Sequence, residues 1–571
     1  MPQPDARMGA AARSDGPGGA TGPRNEGVAT MTQFGGSRLA GEDLLVFGGR
    51  IFPHADRAEW VEAMLIRGGV VVGLGDTADL RALSPSSVPE LDLQGRTVLP
   101  GLIDAHTHVE ATAISRGLWL DVRGLEPTAA CDVVARATTP LQDGEWLQAQ
   151  GTFAQVLPTK DQLDRAAPRN PVLIRQSAHK LQANTEALRR AGMVHRAPRV
   201  GPGVVVHVDE EGVPTGLVEE GFHLFPAPDV TEHQLDDMIV TELRTRFARA
   251  GVTTVYEIPV SVCGIAAYLR LARAGELPVR ITLTPIVAPP AGAGLDRIDE
   301  WAAADFGDGV DSDMIAAGGV KIFIDGDNEQ MFDSKYFDRE PRQWGAVTRT
   351  LGQLREELIC AIGLGAQVWI HAIGDLAQEM VLEAIDQAQS RAGRPRLPIR
   401  LEHAANLQLS PKILESLQRL NVIAVPTASF IAVDDGTGVY AFRTLMDAGM
   451  RPPGNSDTAG SIEKAPSPWF GMAMMIDRRN AHGLPIAPDE AVTIDAAIRT
   501  YTAFSAEAAG LTGVLGALGE GAAADFAVYP DDPRALSPAL MREVEADLTL
   551  VGGRVVWSRS DRQTMDVENT A

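Results

Sequence analysis

At 571 residues, 45% hydrophobic and 22% charged, the chain has room for one large globular domain with a smaller unit appended, and it can bury a sizeable core. Its 51 Lys and Arg against 75 Asp and Glu give a formal net charge of −24, spread along the chain; such a surface excludes nucleic acid as a partner and serves solubility. Cys131, Cys263 and Cys360 are too far apart for a disulfide framework, and no apolar run approaches the roughly 20 residues of a membrane span, so a cytoplasmic protein that does not enter a membrane is expected.

Residues 1–41 are rich in Gly, Ala, Pro, Arg and Asp, lack the apolar core of a secretory signal, and are expected to be a disordered tail; Met8 and Met31 leave a later start of translation open. Leu44 to Phe47 begins the ordered chain as a short strand before Gly48-Gly49 and Arg50-Ile51. Met64 to Ile66, Gly68-Gly69 and Val70 to Val72 spell a hairpin, and Gly73-Leu74-Gly75 is expected to be a turn. Near the other end, Leu548 to Val551, Gly552-Gly553 and Arg554 to Trp557 repeat the strand, Gly-Gly-Arg, strand pattern, with another strand at 524–529. Residues 42–97 and 516–560 are therefore expected to form one small β-sandwich domain from both chain ends.

Between them, short apolar strands alternate with longer helical patterns, the signature of a parallel α/β fold. Strands are expected at 97–106, 252–257, 279–285, 319–325, 367–371, 399–403 and 422–427, with a weak eighth leading into Asp457 through the poor strand sequence Arg451-Pro452-Pro453-Gly454. Eight is the number that closes a TIM (β/α)8 barrel, here spanning 98–515. Residues 111–250, with their own strand at 171–176, are expected to be a subdomain inserted after barrel strand 1, on the side where barrel active sites lie.

Four of the eleven histidines end strands. His106 and His108 form H-x-H after Leu102-Ile103-Asp104-Ala105, so both imidazoles point the same way on an extended chain and can share one cation. His371 ends Val368-Trp369-Ile370, and His403 ends Ile399-Arg400-Leu401-Glu402. Any one of them alone fits a hydrogen-bonded core residue; together, at three strand ends, they fit a site for zinc or a similar first-row metal. Asp457, in Asn455-Ser456-Asp457-Thr458, fits a general base beside metal-activated water that hands its proton to a leaving nitrogen, and equally a helix N-cap. Lys321, inside the apolar strand Val320-Lys321-Ile322-Phe323, fits either a barrel-interior salt bridge or a carboxylated lysine bridging two metals.

These motifs, in this order, resemble the amidohydrolase superfamily, and within it the branch that includes N-substituted formamide deformylase. The resemblance runs from about Asp43 to Trp557. It rests on Pro100-Gly101-Leu102-Ile103-Asp104-Ala105-His106-Thr107-His108, Gly251-Val252-Thr253-Thr254, Val320-Lys321 with Asp325-Gly326, His371-Ala372-Ile373-Gly374-Asp375, Leu401-Glu402-His403, Ser456-Asp457 and Ala524-Asp525-Phe526. It implies that His106, His108, His371, His403 and Asp457 ligate one or two divalent ions, most simply zinc, with carboxylated Lys321 between them if there are two, and that Asp457 is also the general base. His179, in His179-Lys180-Leu181-Gln182-Ala183-Asn184, matches a histidine of this branch that either hydrogen-bonds the substrate carbonyl or plays a structural part. Gly151-Thr152-Phe153 departs from the Gly-Trp-Asp of many relatives, and Asn455-Ser456-Asp457 from their Gly-Ser-Asp. The resemblance implies a hydrolase of non-peptide C–N bonds in a small-molecule amide, formamide or carbamate, and leaves a homodimer open. Ring opening or deamination on the same metal site is the alternative, and a non-catalytic regulatory protein on the same fold the third reading.

Overall fold

The computed structural model describes residues 41–560 apart from 154, 178, 202, 227–228, 288–312 and 327–346. The segment expected to be a tail lies, up to residue 40, outside these described residues.

Eight short parallel strands make two four-stranded sheets. The first contains β1 (Leu102–Thr107), β2 (Val252–Glu257), β3 (Arg280–Leu283) and β4 (Ile315–Ala317) in the order β4-β3-β2-β1. The second runs β5 (Val320–Phe323), β6 (Val368–His371), β7 (Arg400–Glu402) and β8 (Ile423–Val425) in sequence order. Their residues are buried without alternation because both faces are covered: all six residues of β2 and all three of β7 are buried. The helix Pro411–Leu420 shows how the outer layer docks. Ser410 caps it, Pro411 opens it, and Ile413, Leu417 and Leu420 bury one stripe before Asn421 ends it at φ 55°. Those residues join Val368, Ile370, Leu401 and Ala424 in one core cluster.

Hydrogen bonds connect the two sheets at both margins. Lys321 N donates to Pro285 O at 2.9 Å and Val287 N to Lys321 O at 2.8 Å, which joins β5 to the chain leaving β3. At the other margin the segment 454–458 lies along β1: Ala105 N donates to Gly454 O, Asp457 N to His106 O and His108 N to Thr458 O, at 2.9–3.0 Å. Asn455 ties the same segment to the end of β8, donating to Pro426 O at 2.9 Å and accepting from Thr427 Oγ1 at 3.0 Å.

Three expectations change. No strand leads into Asp457; Pro452 and Pro453 lack amide hydrogens and Asp457 adopts φ 45°, so the chain passes β1 as irregular backbone. The strand at 97–106 is two strands, Thr97–Pro100 and β1, separated at Gly101, where a Cβ would run into Thr253. Gly73-Leu74-Gly75 is the end of the strand Val70–Gly75, not a turn.

Strands from the two chain ends pair in one sheet, ordered Arg554–Ser558, Leu548–Val551, Phe526–Tyr529, Thr97–Pro100, Leu44–Ile51, Val61–Arg67, Val70–Gly75, with Glu90–Asp92 beside Leu44–Ile51. These strands form one continuously hydrogen-bonded eight-stranded sheet, and Met64, Ile66 and Val71 from one end share a core cluster with Phe526, Val528 and Leu550 from the other. Between β1 and β2 a six-stranded sheet contains Val205–Val208, Pro214–Glu219, Lys180–Ala183, Val172–Arg175, Leu147–Gln150 and Leu120–Asp121.

Asp525 joins the terminal sheet to the parallel one. Its carboxylate accepts from Arg280 Nε at 2.7 Å and Nη2 at 2.9 Å, and from Gly552 N at 2.8 Å, while its carbonyl accepts from Gly101 N. Both side chains are almost fully buried. Removing one partner of such a pair strands a buried charge, so Asp525→Ala is expected to destabilise the protein by about 3–5 kcal/mol, read as a lower urea midpoint. A midpoint unchanged within error would show that the pair does not hold the two sheets together.

Candidate active site

The H-x-H pair is placed by the strand beside it. Glu257, the last residue of β2, accepts from Thr107 Oγ1 at 2.8 Å, Val109 N at 2.7 Å, Glu110 N at 3.1 Å and Tyr268 OH at 2.8 Å. It caps the helix Val109–Leu118 that begins directly after His108, whose own side chain gives that helix no cap. Burial pushes the Glu257 carboxyl above its ordinary range, although the hydrogen bonds from Val109 and Glu110 pull the other way. Asp325 does the equivalent beyond β5, accepting from Ile373 N at 3.0 Å and Gly374 N at 2.8 Å at the start of the helix Asp375–Ala392 that follows His371.

The side chains converge on Asp457. Its carboxylate lies 3.3 Å from His106 Nε2, 3.4 Å from His108 Nε2 and 3.6 Å from His403 Nε2. The far nitrogen of each ring is fixed: His106 Nδ1 meets Glu402 Oε2 at 2.6 Å, His108 Nδ1 meets Ile258 O at 3.0 Å, and His403 Nδ1 meets Thr427 Oγ1 at 3.3 Å. Glu402 is in turn held by Arg400, whose Nε and Nη2 donate to its two oxygens at 2.8 and 3.0 Å. His403 and Asp457 both adopt left-handed backbone, φ 68° and 45°, a costly conformation for side chains of this size that the surrounding packing imposes.

His371 is turned differently. Its Nε2 faces Gly326 O at 2.8 Å and Asp325 Oδ1 at 3.6 Å, while its ring centroid is 4.6 Å from that of His403 and 5.4 Å from that of His179. His179 Nδ1 meets Glu220 Oε1 at 2.7 Å. Lys321 is completely buried, and its Nζ has no hydrogen-bond partner among the described residues. All seven expected residues, His106, His108, His179, Lys321, His371, His403 and Asp457, line one cavity of about 620 Å³.

Burial holds His106, His371 and His403 well below the usual imidazole range, so they are neutral at pH 7 with a lone pair to offer. It pushes Lys321 down to about 8, against the pull of Glu402 and Asp457. Burial opposes ionisation of Asp457 too, but His106, His108 and Lys321 around it prevail and hold it down to about 2. The residues suit a divalent metal. His106 Nε2 is buried without a hydrogen-bond partner, and ligand atoms of His106, His403 and Asp457 lie within 4.8 Å of one another. Neutral imidazoles with one carboxylate are the donor set of zinc and its first-row neighbours.

Residues 90–557 match the amidohydrolase family Amidohydro_3. The chain belongs to that family. It is 28% identical to YtcJ of Bacillus subtilis over 549 residues, covering 90% of this chain and 99% of that protein. It is 26% identical to the N-substituted formamide deformylase of Arthrobacter pascens over 554 residues, 91% of this chain and 99% of that one. A crystal structure of an uncharacterized metal-dependent hydrolase from Pyrococcus horikoshii superposes with a TM-score of 0.68 at 23% identity, covering 87% of this chain and 99% of its own. This amidohydrolase is thus a hydrolase acting on carbon–nitrogen bonds, on a TIM-barrel-like α/β fold. No helix among the described residues is long and apolar enough to cross a membrane.

Four residues that hold the site had no role in the sequence reading. Glu402 and Asp325 were visible only as motif neighbours of the histidines, and Glu257 only as the end of an apolar strand. Glu220 meets His179 from 41 positions away, with no local signal at all. Removing the Glu257 carboxylate leaves several buried donors unmatched at once. Glu257→Ala is therefore expected to cost at least about 2–3 kcal/mol of stability, measured by urea unfolding. A loss below about 1 kcal/mol would mean that water replaces the cap.

Proposed function

We propose that this amidohydrolase hydrolyses a linear amide, formamide or carbamate of a small molecule, with Asp457 as general base, inside a closed (β/α)8 barrel in which β4 and β5, split only by Gly318-Gly319, share the fourth position and the segment 454–458 fills the eighth. The observation that carries this reading is the convergence of His106, His108 and His403 Nε2 on the Asp457 carboxylate in a cavity of about 620 Å³. That volume suits a small organic substrate. The formamide deformylase among the relatives supports the bond type.

His106, His108, His403 and Asp457 would hold one divalent ion, most simply zinc. His371, with Lys321 if that side chain is carboxylated, would serve a second. The bound ion supplies Lewis acidity to water and to the substrate carbonyl. Asp457 accepts a proton from the attacking water and delivers it to the departing nitrogen, so that an amine leaves. His179, oriented by Glu220, donates a hydrogen bond to the substrate carbonyl oxygen as charge develops there. Glu402, held by Arg400, keeps His106 in the tautomer that leaves Nε2 free for the ion.

The test is release of amine by the zinc-loaded protein from N-formyl, N-acyl, carbamate and cyclic amide compounds, beside Asp457→Asn. Amine release from linear compounds that is lost in Asp457→Asn, at unchanged metal content, is expected. Turnover of only the cyclic compounds would move the reading to ring opening, and full activity in Asp457→Asn would remove that residue from the mechanism. His106→Ala is expected to lose bound metal by elemental analysis while keeping its far-ultraviolet circular dichroism; full metal content in that variant would overturn the ligand assignment.

A further inference from the structure

One charged group in the cavity is used by none of this chemistry. Arg175 ends the strand Val172–Arg175 of the inserted sheet, and the next few residues turn the chain back into Lys180–Ala183, with Arg175 opposite Leu181. His179 sits in that turn, so Arg175 and His179 are four residues apart, at most about 14 Å along the chain, and both line the cavity. The backbone at Arg175 is pinned, its carbonyl accepting from Gly151 N at 2.7 Å.

The guanidinium packs on two aromatic rings, its central carbon 4.6 Å from the centre of Trp119 and 4.2 Å from the centre of Phe222. Trp119 ends the helix that starts at the H-x-H pair, and Phe222 follows the strand that ends at Glu219. Both rings offer the cation a π face and restrict its movement. Nε is shut off from solvent without an acceptor, while the terminal nitrogens keep access to the cavity. Among the described residues no side chain or carbonyl accepts a hydrogen bond from this guanidinium, and no carboxylate pairs with it. The acids nearby are engaged elsewhere: Glu220 with His179, Glu110 with Ser261 and Val260 N, Glu219 with His207. Burial alone shifts Arg175, down to about 10, which leaves it charged at neutral pH.

A half-buried cation without an anion is costly, and two aromatic rings offset only part of that cost. The missing partner is an anion that arrives with the ligand. A planar guanidinium seated on two aromatic rings, with no acceptor for its terminal nitrogens among the described residues, matches a carboxylate, which it can grip with two parallel hydrogen bonds. We propose that Arg175 is a specificity-determining residue that binds a carboxylate carried by the substrate, so that the preferred substrates are N-acyl, N-formyl or N-carbamoyl compounds bearing a free carboxylate. The apolar wall around it, with Phe153, Leu173, Phe225 and Phe430, suits an aryl or alkyl body between the carboxylate and the scissile bond. The proposal rests on the hydrolytic reading above for the word substrate; the anion site itself does not.

The experiment therefore has a binding arm and a kinetic arm. In the first, 3-phenylpropionate, its carboxamide and phenethylphosphonate are titrated calorimetrically into the zinc-loaded protein and into Arg175→Met, which keeps an apolar stem against Trp119 and Phe222. A charge-assisted hydrogen bond is worth about 10–150-fold in affinity. The carboxylate is expected to bind the wild type that much more tightly than the carboxamide, and Arg175→Met to bring the two within threefold. Equal binding of acid and amide by the wild type would overturn the proposal. So would an acid preference that survives in Arg175→Met, because the metal would then be the receptor. Tighter binding of the phosphonate than of the carboxylate would replace the carboxylate with a phosphate-like group and sink the proposal as stated.

In the kinetic arm, N-formylphenylalanine is compared with its amide by release of free amine. The wild type is expected to favour the acid by the same 10–150-fold in kcat/KM, and Arg175→Met to lose that margin with turnover of the amide kept. Equal loss on both compounds would make Arg175 a structural clamp only. Absence of any hydrolysis with the binding preference intact would sink the reaction assigned above and leave the anion site standing. Should Arg175→Met not fold, the wild-type comparison of acid with amide and Arg175→Lys, expected to keep part of the preference, decide the matter.

Discussion

The site depends on a buried cation placed behind it. Arg400 is wholly inside, its guanidinium 3.7 Å over the ring of Trp369, with Nη2 donating to Ala105 O at 2.7 Å. Its fork grips Glu402, and Glu402 grips His106 Nδ1. The three side chains form a relay of opposite charges and fixed donors that runs from the core to the imidazole. Removing one member would leave another charged and unpaired in a medium that penalises it, so the members stay together or not at all. That relay decides which nitrogen of His106 faces the cavity, and hence what the cavity can bind.

The same economy recurs around the ring of strand ends. Short parallel strands leave their last residues free to point into the cavity, and the helix that follows each strand begins with unmatched N–H groups. Glu257 and Asp325 serve the helix beyond the neighbouring strand, so each strand end steadies its neighbour's histidines. Glu110 repeats the arrangement in the opposite direction, accepting from Val260 N at 2.8 Å and Ser261 N at 3.1 Å in the loop after β2. These buried carboxylates let a functional rim made of chain turns hold shape without regular pairing, as the left-handed backbone at His403 and Asp457 requires.

What could be read from the sequence follows from range. Each strand-end histidine closes an apolar run that must be covered on both faces, so its place in the parallel sheet was legible from a window of a few residues. The break at Gly101 was not, because the side chain that forbids a Cβ there, Thr253, lies some 150 positions on. The eighth position was legible only as a weak signal, correctly so, since prolines and a left-handed aspartate keep it from becoming a strand. The groups that orient the site, Glu220 for His179 and Trp119 with Phe222 for Arg175, come from distant segments brought together by the inserted sheet. No periodicity records such meetings, and nothing distinguishes Arg175 in the sequence from a solvent-facing arginine at the end of a strand.

Gly101 also carries a consequence for the order in which the molecule can be finished. Just before it, Thr97–Pro100 pairs with Phe526–Tyr529 in antiparallel register; just after it comes the strand that bears His106 and His108. The first cavity-lining histidines to leave the ribosome are thus spliced to a sheet partner that emerges more than 400 residues later. Until then one side of Thr97–Pro100 is an open edge, and closing it spans nearly the whole chain, a slow contact to form. The rim of the cavity therefore takes its final shape late in biogenesis, and in the interval that edge is the point most in need of protection from other strands.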